Sequence, residues 1–338
     1  MSFRFWNAAF AATLVLASAS ARVEAQEKQV VRYQEYPANL LHLSNWVMRD
    51  KGFCAKQGLD CRAIMLGSGP LALQAAAAGS VDLIVSSADV MMQAAARGND
   101  MMILGTHISS NIYSLLASAE MAQAAGGQDY PANMKVLVDK RIGVTARGAA
   151  TEMVTKALFA GAGLDTNKVS FVAVGGPGTA YAALAAKQVD AVLSWDPLPA
   201  ICDATKICTT FVAMNKGKGP ANLQAMNGGF VVWQARREYV QKNAAVIDGF
   251  LRAHAEAVNW LREPKNFAEA REIAAKGFKL GDVPDREKVF DVVVQRMIDT
   301  YGTTLDRKAV DGFNAFLIDN KVIDKPLDVS ALVYKNAP

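Results

Sequence analysis

The chain has 338 residues, 51% of them apolar, and a formal net charge of +4. That length suits two lobes of ordinary domain size, and so small a charge, with no basic block, gives nucleic-acid binding no support. Among the four cysteines and three histidines there is no zinc-like C-x-x-C or H-E-x-x-H, and neither G-x-S-x-G nor a Walker A pattern occurs.

In chain order, residues 1–25 read as a secretory leader. Arg4 supplies the positive start, and Ala8–Ala19 is apolar but shorter than the roughly 20 residues of a spanning helix. Small residues offer cleavage after Ala21 or, preferred because polar Gln26-Glu27-Lys28 follows, after Ala25. The mature protein is then expected in the periplasm, where disulfides form. Cys54 with Cys61 and Cys202 with Cys208 are spaced for two local bridges; four buried free thiols are the alternative.

Val30–Glu35 reads as a strand, Leu40–Phe53 as a helix with Leu40, Leu43, Val47 and Met48 on one face, and Leu59–Leu66 as a strand. Leu71–Ala78 is a helix with Pro70 at its start and Gly79 past its end. Val81–Val85 is a buried strand, followed by a helix that Ser87 caps and Gly98 ends, then the strand Met101–Leu104. Polar Thr106–Asn111 is expected to be irregular and to cross into a second lobe. There Ile112–Ala117, Arg141–Thr145, Lys168–Val174 and Thr210–Ala213 read as strands and Ala149–Ala160 as a helix. Asn227–Gly229 leads back to Phe230–Trp233, and the remainder is helical, with Val246, Ile247, Phe250, Leu251, His254, Val258 and Leu261 on one apolar face.

One stretch occurs twice. Residues 67–89 and 175–197, 108 positions apart, share a glycine-rich turn, an Ala-rich helix, Val-Asp before a short strand, and a serine after it. Two such units imply two similar α/β lobes, 27–106 with 229–338 and 107–228. Ligands of open α/β sheets sit outside the carboxyl ends of the strands, so facing lobes would enclose one. Helix N-termini there offer free N–H groups and partial positive charge, which attract anions. The candidate ligand contacts are Tyr36 and Asn39 in the first strand-to-helix turn, Ser68, Gly69, Ser86, Ser87, Thr151 and Gly176 at helix starts, and Trp195 and Asp196 in the second echo. His107 joins them because it lies at a crossing, and Arg147 because it follows a strand end and carries a donor fork suited to carboxylate or sulfonate. Ser87 and Thr151 are equally readable as plain helix caps, and Asp196, before Pro197, is most economically one.

The ordered series Lys51-Gly52-Phe53, Gly58-Leu59-Asp60, Gly79-x-Val81-Asp82, Arg141-Ile142-Gly143-Val144 with Thr151, Ala162-Gly163-Leu164-Asp165, and Val189-Asp190-Ala191 with Trp195-Asp196-Pro197 resembles the periplasmic solute-binding proteins of ABC importers, of the nitrate/sulfonate/taurine type. The resemblance implies an α/β two-lobed clamshell. Each lobe would be a mostly parallel sheet flanked by helices, with two crossings between lobes. It implies a small organic or inorganic anion in the cleft, a membrane permease as partner, a monomer, no cofactor and no catalysis. Two departures stand out: Cys54 and Cys61, where apolar residues are usual, and Arg147, where a small polar residue is expected. Thiamine-pyrimidine synthases share the scaffold and are the enzymatic alternative, but the chain lacks their cysteine-dense segment. A receptor's sensing domain is a third reading, and a neutral pyrimidine or aromatic ligand stays open beside the anion.

Overall fold

The computed structural model describes residues 27–338, so the leader expected over 1–25 lies outside the described residues. The chain begins with β1 (Gln29–Glu35), α1 (Leu43–Asp50), α2 (Phe53–Lys56), β2 (Leu59–Met65), α3 (Gly69–Ala77), β3 (Ile84–Ser87), α4 (Ala88–Ala96) and β4 (Met101–Ile108). It crosses to β5 (Ser114–Ser118), α5 (Ala119–Ala124), β6 (Arg141–Val144), α6 (Ala150–Gly161), β7 (Ser170–Ala173), α7 (Pro177–Ala185), β8 (Ala191–Ser194), α8 (Leu198–Thr205), β9 (Cys208–Ala213) and α9 (Ala221–Gln224). It returns through β10 (Val231–Arg236) to α10 (Arg237–Lys242), α11 (Ala244–Arg262), α12 (Phe267–Gly277), α13 (Arg286–Thr300), α14 (Arg307–Asp319) and α15 (Val329–Leu332).

The sheets form two lobes with one plan. In the first, β2 and β1 pair in parallel, a parallel bridge from Tyr33 to Leu83 joins β1 to the segment leading into β3, and β10 runs antiparallel between β3 and β4. The second is ordered β7-β6-β8-β5-β9, with β5 antiparallel to both neighbours. The strand that follows each crossing therefore takes the same place, and it is the antiparallel member of an otherwise parallel sheet.

Local chemistry explains the repeated unit. Ser68 starts α3 by accepting the Leu71 N–H, and Pro70 sits in the first turn. Gly176 precedes α7, with Pro177 at its first position. Both helices end in the same pair of backbone bonds: Gly79 to Ala76 and Ser80 to Ala75, Lys187 to Leu184 and Gln188 to Ala183. The left-handed residue this requires is Gly79 in one case and Lys187 in the other, with φ of 72° and 56°. The break in the second copy therefore falls at Lys187.

The first crossing differs from its expected form. Thr106–Asn111 is not irregular throughout, because β4 continues to Ile108 by pairing Thr106 with Val232 and Ile108 with Val231. The two crossings are tied together: the Asn111 N–H donates to Asn227 Oδ1 at 2.7 Å and the Gly228 N–H to Ser109 O at 2.7 Å. Gly228 has φ of 106°, and a Cβ there would meet Asp306 Cβ at 2.6 Å, so the return needs glycine.

Both disulfides form as expected, Cys54–Cys61 and Cys202–Cys208. The core of the first lobe centres on Trp233, which is fully buried and meets Phe250 edge-on at 4.8 Å, His107 at 5.0 Å and Tyr33 at 6.1 Å. A smaller cluster in the second lobe packs Leu116, Val192 and Leu198 beside Cys202 and Cys208.

Candidate functional site

Four turns at the carboxyl ends of parallel strands converge between the lobes. The turn after β1 brings Tyr36 and Leu41, and the turn from β3 into α4 brings Ser86, Ser87 and Val90. From the second lobe, the turn between β6 and α6 brings Thr145, Ala149, Ala150 and Thr151, and the turn after β8 brings Trp195. Gly69, Ile112, Tyr113 and Val231 complete the cavity. Gly69 keeps the wall thin, since a Cβ there would lie 3.2 Å from Ser86 Cβ.

Two of these turns are pinned in the same way. The Tyr36 N–H donates to His42 Nε2 at 2.7 Å, and the Thr145 N–H donates to Thr151 Oγ1 at 2.9 Å. The side chain six residues on thus closes both turns. Asn39 links the lobes: its Oδ1 accepts from the Leu41 N–H at 3.0 Å and from Trp195 Nε1 at 3.4 Å, fixing an indole of the second lobe from the first.

The candidates separate into groups. Tyr36, Gly69, Ser86, Ser87, Thr151 and Trp195 line the cavity together, and Asn39 braces it from behind. Ser68 caps α3 and, like Gly176 at the start of α7, does not line this cavity. Arg147 lines a different groove, with Gln93 and Arg97; its guanidinium pairs with Glu152 at 2.8 Å and lies over the Phe171 ring. Asp196 lies in a third pocket, paired with Arg296 across the lobes at 3.4 Å. Burial raises the Asp196 carboxyl, and Arg296 only partly offsets it.

His107 is placed in the core, not at the crossing surface, because β4 carries it into the sheet with no exposure. Its Nε2–H donates to Leu41 O at 2.9 Å, which leaves Nδ1 to accept from His254 Nε2 at 3.0 Å. His42 stacks on it at 5.9 Å. Burial holds all three imidazoles down, His107 to about 4, so they are neutral at pH 7.

Sequence reasoning missed Tyr113, Thr145 and the apolar lining from Leu41, Val90, Ile112, Ala149, Ala150 and Val231. Tyr113 follows the crossing directly, and that position was the only signal for it. Asp89 was also missed. It is 1% exposed in the first turn of α4, and burial raises its carboxyl to about 6. Among the described residues no Lys, Arg or His lines the cavity. Its electropositive elements are the N-terminal N–H groups of α3, α4 and α6.

The geometry agrees with the comparisons. Residues 38–275 match the NMT1-like family. The chain belongs to this family. A protein of Brucella abortus, named only as a candidate binding protein, is 26% identical over 153 residues, a match spanning 45% of this chain and 43% of that protein. Among solved structures, a Bordetella bronchiseptica protein superposes with a TM-score of 0.76 at 21% identity, covering 92% of this chain and 96% of that one. The alkanesulfonate-binding protein of Xanthomonas axonopodis, bound to MOPS, gives 0.69 at 18% over 91% and 98%. The periplasmic nitrate-binding protein of Synechocystis gives 0.66 at 16% over 90% and 85%. A desulfurization enzyme shares the scaffold at 0.56 and 14%. These similarities establish the two-lobed periplasmic-binding-protein fold. No helix among the described residues is long and apolar enough to cross a membrane.

Proposed function

We propose that this protein is the periplasmic substrate-binding component of an ABC importer, exported by a leader over residues 1–25, monomeric, and handing a small ligand to a membrane permease. The observation that carries the reading is the interlobe cavity, built from strand-end turns of both sheets and braced by the Asn39–Trp195 contact. Strand membership supports a division near 27–108 with 229–338 and 109–228, two residues later than the expected break, because β4 keeps His107 and Ile108 in the first lobe; the hinges would lie at the tied segments around Ser109–Asn111 and Asn227–Gly228.

The ligand is held by wall chemistry. Three helix N-termini supply donors for an acceptor oxygen, which supports the expected carboxylate or sulfonate. The rings of Tyr36, Tyr113 and Trp195, with no cationic side chain among the described lining residues, favour an aromatic or N–H-bearing ligand over a bare inorganic anion. Binding without chemistry is the proposed activity, since the lining holds no nucleophile paired with a base. Small-angle scattering checks it: ligand should shrink the radius of gyration, and the ligand should be recovered unchanged. Turnover of the bound molecule would overturn the reading.

A further inference from the structure

The first-lobe wall of the cavity holds polar groups that have nothing to bind. Ser87 Oγ and both carboxylate oxygens of Asp89 are buried without a hydrogen-bond partner among the described residues. The Ser87 hydroxyl and the backbone N–H groups of Val90 and Asp89 stand near enough to draw the Asp89 carboxyl down in part, but none is in hydrogen-bond geometry with it. Ser87 lines the cavity, and Asp89 stands behind it in the first turn of α4. Burial, and after it the charge of Asp89, raises the phenols of Tyr36 and Tyr113, which places that charge beside two lining rings. The Gln93 side chain bonds only the Asp89 backbone carbonyl and Met153 Sδ.

A helix-start acid gains from the helix dipole, but an exposed acid gains from it too and without the desolvation cost, so that role does not account for the burial. A buried carboxylate with no cation beside it and no donor in hydrogen-bond geometry is rare in folded proteins and calls for a partner.

We propose that Ser87, with the charge of Asp89 behind it, receives the nitrogen end of the ligand, an ammonium, amidinium or comparable N–H donor group, among the rings of Tyr36, Tyr113 and Trp195. Aromatic faces attract such a cation, and the charge of Asp89 favours it over an anion. The N–H groups at the start of α6, on the opposite wall, take an acceptor oxygen when the ligand has one. Asp89 is then a specificity-determining residue. The proposal rests on the cavity being the ligand site.

The test is calorimetric titration of the full mature chain with matched probes, guanidinium, benzylammonium and benzamidinium against nitrate, benzenesulfonate and benzoate. At least one cation should bind more tightly than millimolar and outbind its anionic counterpart. Asp89→Asn should weaken that cation on the order of thirtyfold and leave the anions unchanged or improved, and Ser87→Ala should weaken it by a few-fold. Circular dichroism shows whether each variant is folded. Anions binding while the cations do not, equal cation affinity in wild type and Asp89→Asn, or no cation binding up to millimolar concentration would each overturn the proposal. If an anion still closes the lobes in scattering, only this inference fails; if no bound probe closes them, the importer reading fails with it.

Discussion

The two lobes repeat one another in backbone and diverge in chemistry. Both order their strands alike, and both clamp the start of the parallel sheet with an arginine and an aspartate. In the first lobe, the Arg32 N–H and guanidinium donate to Asp82 at 2.9 and 2.6 Å. In the second, those of Arg141 donate to Asp190 at 2.8 and 3.1 Å. The aspartates lie 108 positions apart, at the Val-Asp of the repeated stretch. The turn closed by His42 in one lobe is closed by Thr151 in the other. Behind those turns the lobes differ: the first buries three histidines, His42, His107 and His254, with Asp89, whereas α6 buries Thr151, Thr155 and Glu152, the last ion-paired with Arg147 and Lys156. The backbone plan therefore requires only a side-chain acceptor at the turn, and the histidine cluster was added on one side.

Breaking the cores should give the largest effects. Trp233 on β10 and Leu116 on β5 hold the same place in their sheets, opposite Val85 and Val192. Trp233→Ala should cost about 4 kcal/mol and Leu116→Ala about 3 kcal/mol, by denaturant unfolding. The ordering follows from the aromatic contacts of Trp233, and a larger loss at Leu116 would contradict it.

Asp89 sharpens the contrast through pH. Its folded-state carboxyl titrates at about 6, above the usual aspartate value of 3.8. A raised carboxyl contributes stability below the unfolded value and loses it as pH rises through the folded one, so the penalty grows between pH 3.8 and about 6. Asp89→Asn should therefore stabilise the ligand-free protein by about 3 kcal/mol at pH 7 and by almost nothing near pH 4. Thermal melts of both proteins across that range decide it, and a destabilised variant at pH 7 would show that Asp89 is an internal cap after all. Stability gained while cation binding is lost is the signature of a residue retained for function.

The clamps should give the smallest difference. Asp82 is 7% exposed and Asp190 22%, and solvent replaces lost hydrogen bonds more easily at the second. Asp82→Ala should cost about 2 kcal/mol, and Asp190→Ala should lower the melting temperature less. Equal losses would mean that the backbone N–H bond, common to both, carries the whole effect.

Much of this was legible in the chain. The doubled stretch gave the duplicated lobe because glycine, alanine and Val-Asp act through local backbone preference, which sequence carries directly. The strand-end position of Tyr36, Ser86, Ser87, Thr151 and Trp195 followed from the same rule and placed them on the cavity wall. The cysteine pairs, spaced by 7 and 6 residues, needed only proximity. Tertiary structure alone decided the rest. His107 looked like a cleft residue until β10 paired along β4 and drew it into the core, because a strand's length is set by its partner. Arg147 stands at a strand end, yet Glu152, five residues on, holds its guanidinium away from the cavity. Asp89 reads in sequence as an ordinary helix-start acid, and only its packing in the folded chain removes water from it. Burial is a sum over distant neighbours, and no local pattern states it.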